Sequence, residues 1–210
     1  MTNDPPPYFS MEELMGMMNE PHRSICRRVI DDHRELLQQV PGSSHNHQAW
    51  RGGYWDHIVE VMNLWVLLYR AFEATGRLAE LAPEERFTLA DGLPVLFLHD
   101  IEKPWRRLWE DGKPALDAEG HARPGPAGAS ARKAFAEHKL AEYGVVFSPQ
   151  QQNAWQYVEG LRDSEYSPND RVMLPLAALC HTCDLLSARA FYDFPRPGDT
   201  TWGSGRAAVG

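Results

Sequence analysis

The stretch LPVLFLHDIEKPW, residues 93–105, sets His99 and Asp100 directly behind the apolar residues Leu93, Val95, Leu96, Phe97 and Leu98. An imidazole and a carboxylate at the end of a core segment are costly to bury unless both find partners. Two further polar residues interrupt core-like patterns elsewhere: His57 in GGYWDHIVEV and Asp184 in LPLAALCHTCDLLSAR. The four could satisfy one another by converging on one divalent cation, and imidazole with carboxylate suits Mn, Fe, Co, Ni, Zn or Mg. Four separate buried groups, each bonded to backbone, would give the same pattern. The sequence distances between them are long, so spacing alone does not decide between the two.

The elements that must position these residues read as helices. Ser10 and Glu13 form a capping-box pattern ahead of MEELMGMM. Ile25, Val29 and Leu36 recur at helical spacing within 22–39, and Val61, Leu64 and Leu68 within 54–75. VPGSSHNHQAWRGG between them is a loop by composition. Residues 83–103 predict one or two helices opening at Pro83, with Pro104 forcing a stop or kink at Lys103. Residues 106–128 are rich in Gly, Pro and charge and predict one long irregular loop, in which Arg106, Arg107 and Lys113 carry positive charge. Helices are expected again at about 129–143, 149–163 and 170–191. The expectation is an all-α fold: an N-terminal extension with a short helix (1–20), one helical domain (21–195) and a tail (196–210).

In order, His, then His-Asp, then Asp resembles the signature of the HD-domain metal-dependent phosphohydrolases. HNHQAWRGGYWDHIVEV is similar to the family's lead-in to its first ligand helix, FLHDIEKPW to its LHDIGK element, and LAALCHTCDLLSAR to the helix bearing its last aspartate. Glu102 stands where the family commonly has glycine. The resemblance spans about residues 40–195. It implies an HD-type helical bundle with one divalent ion held by His57, His99, Asp100 and Asp184. It also implies a metal-activated water that attacks a phosphate ester or anhydride. On the same basis Asp100 orients or deprotonates that water, Glu102 is a candidate proton donor, and Lys103 meets phosphate charge. Two-metal relatives add histidines before the last aspartate, whereas this chain has YVEG at the comparable place, so one ion is expected.

Other residues carry paired readings. Arg51 and Arg189 flank the ligand blocks and could clamp phosphate, or lie on the surface. His181, one turn before Asp184, could donate to phosphate or bond within the core. His45 and His47 could reach substrate or a second metal, or be solvated. Cys180 and Cys183 form a lone CxxC, for which core packing is the default. The implied substrate is a small nucleotide, most simply a deoxynucleotide, with short oligonucleotides or cyclic nucleotides as the alternative. A non-catalytic nucleotide-binding module is the other class, though such modules usually have a broken ligand set.

Composition bounds these readings. Lys plus Arg number 21 against 29 Asp plus Glu, for a net charge of -8. That balance disfavours long nucleic acid or an anionic membrane surface as partner and is compatible with a homo-oligomer. Three cysteines, an odd number, and an N-terminus MTNDPPPYFS without a basic and then apolar signal predict a cytoplasmic protein.

Overall fold

Ser10 opens the first helix as the sequence predicts: its hydroxyl accepts from the Glu13 amide while the Glu13 carboxylate accepts from Ser10 N at 2.8 Å. The computed structural model describes residues 6–43, 46–105, 129–161, 171–194 and 202, and these are helix and connection with no strand among them. The chain is all-α. The helices are α1 (Met11–Gly16), α2 (His22–Leu37), α3 (Gly53–Ala74), α4 (Leu89–Leu98), α5 (Glu102–Trp105), α6 (Ala129–Glu142), α7 (Pro149–Tyr157) and α8 (Pro175–Leu185). A short π-helical turn, Leu186–Ala190, continues α8. No described helix is long and apolar enough to cross a membrane.

α3 is the central element. Val61, Met62 and Trp65 are shut away from solvent, and its flanks meet α4 and α8. α3 and α4 approach closely at Gly92, where an added Cβ would fall 2.4 Å from the Trp65 indole. Trp65 Nε1 donates to the Leu89 carbonyl at 2.8 Å and locks that contact. Trp65 lies eight residues beyond His57 on α3, and Gly92 seven before His99. At 1.5 Å per residue these are runs of about 12 and about 10.5 Å. One pair meeting in antiparallel register therefore brings the other pair together, and the Trp65–Gly92 contact delivers His99 to His57.

Several expected boundaries move. Pro83 opens only a 3₁₀ turn, Pro83–Glu85. The helix proper begins after Thr88, whose amide donates to the Asp91 carboxylate at 2.6 Å. The break falls at 99–101, ahead of Pro104, which sits inside α5. In that first turn proline's missing N–H removes no helical bond. α7 stops at Tyr157, because Gly160 adopts a left-handed φ of 98°. α8 starts at Pro175 rather than at 170. Leu14, Met15 and Met18 are fully buried, so residues 11–18 of the expected extension contribute to the core. The expected loop at 106–128, His45 and the tail other than Trp202 lie outside the described residues; Trp202 meets Tyr8 edge-on with ring centroids 5.1 Å apart.

Candidate metal centre

His57 reaches the centre from the first turns of α3, His99 and Asp100 from the break after α4, and Asp184 from α8. His57 Nε2 lies 3.2 Å from Asp184 Oδ1 and 3.7 Å from Asp100 Oδ2. His99 Nε2 lies 3.5 Å from each of the same two oxygens. Both Nε2 atoms are buried and make no hydrogen bond. The 3.2 Å pair stands at the upper edge of the hydrogen-bond range and the other three lie beyond it. All four come within about 0.3 Å of the edges of a coordination polyhedron, since donors about 2.1 Å from one ion stand roughly 3.0–3.4 Å apart when adjacent. The buried His57, His99 and Asp100 and the half-buried Asp184 could hold a metal ion, and donor atoms of His57, His99 and Asp184 lie within 4.8 Å of one another.

The remaining nitrogen of each imidazole fixes which one faces the centre. His99 Nδ1 donates to the Leu96 carbonyl at 2.7 Å, so its Nε2 is the nitrogen that faces the centre. His57 Nδ1 meets Ser187 Oγ at 3.0 Å. The Ser187 hydroxyl donates to a Glu60 carboxyl oxygen, so it accepts from His57 Nδ1–H and again leaves Nε2 to face the centre. Gln48 Nε2 also donates to Glu60, at 3.0 Å, and to Ser187, at 3.2 Å. None of Gln48, Glu60 and Ser187 was marked out by the sequence pattern. Ser187 falls three residues after Asp184 and Glu60 three after His57, the spacing that puts each on the ligand's own helix face.

Charge at the centre is strongly perturbed. Burial works against the charged form of His99, yet Asp100 and Asp184 outweigh it and lift its pKa to about 9. Burial lowers that of His57 in spite of Asp184. Both aspartates are held below the usual carboxylate range: burial opposes ionisation, but Lys103 and His99 outweigh it at Asp100, and the two imidazoles do so at Asp184. Burial raises Glu60 to about 8, against the Ser187 hydrogen bond.

His57, His99 and Asp100 side chains are 0–3% exposed, against 17% for Asp184 and 21% for Lys103. The centre therefore opens on the side of those last two residues. Lys103 donates to Asp100 Oδ2, so the ammonium expected to meet phosphate is paired to a ligand. Glu102 is buried beside it, and its charge acts on Lys103 and Tyr54. His181 Nδ1 donates to the Val158 carbonyl at 2.8 Å and ties α8 to the end of α7; no donor group includes it. Arg51 and Arg189 are both exposed, one in the turn before α3 and the other in the π turn. Cys180 and Cys183 are buried free thiols, pushed up by that burial and part of the core.

Glu159 in YVEG feels the charges of Asp100, His99, Lys103 and Asp184, and burial of its carboxyl raises its pKa although the residue as a whole is exposed.

No protein-family model matches this chain, and neither a curated protein nor a solved structure matches it.

Proposed function

We propose that the chain is a metal-dependent phosphohydrolase of the HD-domain type, acting on phosphate esters or anhydrides of small nucleotides, most simply deoxynucleotides. The observation that carries this reading is the pair of buried, unpartnered Nε2 atoms facing two aspartate oxygens at 3.2–3.7 Å. A divalent ion held by His57, His99, Asp100 and Asp184 would polarise a phosphoryl oxygen and bring a bound water toward neutrality in pKa.

The chain's own groups supply the rest. Asp100 accepts hydrogen bonds and orients the attacking water. Lys103, one turn on and partly exposed, offers positive charge to the phosphate on the open side. Glu159 holds a proton more readily than an ordinary glutamate, and as an exposed residue within the field of the centre's charges it is our candidate to protonate the departing oxygen, ahead of the buried Glu102. The net charge of -8 favours a short nucleotide over a long polyanion.

The test is a release assay. Metal-loaded protein is screened for phosphate, pyrophosphate or nucleoside release from nucleoside mono- and triphosphates, with His99→Ala and Glu159→Gln in parallel. Turnover in the wild type, abolished in His99→Ala and slowed in Glu159→Gln at full metal content, supports the assignment. No turnover of any nucleotide by the fully loaded protein rejects it.

A further inference from the structure

His47 was one of two loop histidines with no settled role, and it lies against the centre. Its ring stands 4.8 Å from that of His57, centroid to centroid, at an interplanar angle of 40°. Its Nε2 is buried and has no hydrogen-bond partner, the condition of the Nε2 atoms of His57 and His99. A solvated loop histidine would bond to water there, and this nitrogen is closed to it. One donor atom each from His47, His57 and Asp100 lies within 4.8 Å of the others.

The loop is built to hold this imidazole in place. Ser43 Oγ donates to the His47 carbonyl at 3.0 Å, and the Asn46 amide donates to Ser43 Oγ at 2.8 Å. Gln48, the next residue, takes a left-handed φ of 40°, a conformation with a cost for a residue that has a Cβ. Its amide donates to the Tyr192 carbonyl at 2.9 Å, and its carbonyl accepts from Gly42 N at 3.0 Å. The same carbonyl lies 1.8 Å from where a Cβ on Gly53 would be, so only glycine lets the loop settle on the start of α3. A strained residue anchored at both backbone groups thus precedes the helix of His57 and turns His47 toward it.

We propose that His47 is a further ligand of the same ion, giving a donor set of three imidazoles and two carboxylates. This rests on the metal-centre reading above. His57 belongs to both groups of donors and Asp100 lies beside both, so a single ion serves all the unpartnered nitrogens with the fewest cations. Adjacent donors of one ion stand about 3.0 Å apart and opposed ones about 4.2 Å, so closing a set whose donors lie within 4.8 Å of one another takes a shift of up to about 2 Å, within reach of an imidazole rotation. Three imidazoles tilt the preference toward Zn, Co, Ni, Fe or Mn and away from Mg, which favours oxygen donors and water.

The test uses the metals alone. Zn(II) affinity and the visible absorption of Co(II) are measured for the wild type, His47→Ala, His47→Gln and His57→Ala, with metal-free thermal unfolding as the check on folding. The expected result is Zn(II) binding at least tenfold weaker in both His47 variants, with an altered Co(II) spectrum and little change for Mg(II). Wild-type affinity and spectrum in the His47 variants, alongside loss in His57→Ala, overturn the inference and leave the centre standing. Unchanged binding in all the variants rejects the centre itself. A second readout needs no variant: in the ¹⁵N-histidine-labelled wild type, Zn(II) should shift three buried imidazole Nε2 resonances, and a shift of only two overturns the proposal.

Discussion

Ser187 Oγ lies 3.0 Å from Nδ1 of His57 and joins that imidazole to the buried carboxyl of Glu60. The hydroxyl fixes the ring's tautomer and its angle, although it touches no ligand atom. Ser187→Ala should therefore weaken metal binding by about 10–100-fold, the usual effect of losing such an orienting partner. Competition against a chromophoric chelator measures it. Wild-type affinity in the variant would mean that packing alone holds His57.

Glu60 gives the fold a pH dependence of known sign. Burial raises its pKa to about 8, whereas in the unfolded chain it titrates at about 4.3. Between those values the unfolded chain has lost a proton that the folded chain keeps. Stability from this group is therefore complete below about pH 4 and is lost progressively as the pH rises toward 8. Glu60→Gln should remove that slope and gain on the wild type at pH 9, by on the order of a few kcal/mol. Urea unfolding from pH 5 to pH 9 checks this, and parallel curves for the two proteins would contradict it.

Two glycines hold the site's elements together. Gly53→Ala would drive a methyl into the Gln48 carbonyl, and Gly92→Ala would drive one into the Trp65 indole. Each should cost about 1–3 kcal/mol or more, as overpacking does. Gly16→Ala, which meets nothing within 4 Å, should cost nothing by this route. Thermal unfolding of the three variants compares them directly, and equal midpoints would show that neither close approach is tight.

Lys103 is paired to a ligand and partly open to solvent. Lys103→Met should leave the ion bound and impair hydrolysis, by raising KM for a nucleotide or lowering kcat by about tenfold. Steady-state kinetics with a metal analysis of the same sample checks both halves. Undiminished kinetics would remove Lys103 from phosphate recognition.

The four central residues were legible because each breaks an apolar pattern: His57 in YWDHIVEV, His99 and Asp100 behind VLFL, Asp184 in LAALCHTCDLL. Helix identity was legible for the same reason, since long amphipathic or apolar runs such as 54–75 permit little else. The break at 99–101 was not. Pro104 is the loudest local signal, yet it is harmless inside the first turn of α5, and the earlier break shows only in the fold. Ser187 and Glu60 are types common on exposed helix faces, and Gln48 folding across them is what makes them interior. Lys103 and His181 kept their places but found protein partners, in Asp100 and the Val158 carbonyl. No sequence spacing encodes those pairings.

The most direct measurement of the central claim is metal content per chain. Wild-type protein is loaded with Zn(II) or Mn(II), desalted and analysed beside His99→Ala and Asp100→Ala. About one ion per chain is expected in the wild type, with most of it lost in both variants, because each leaves an incomplete ligand set. A wild type that retains no ion, or variants that carry as much as the wild type, would contradict a metal centre at His57, His99, Asp100 and Asp184.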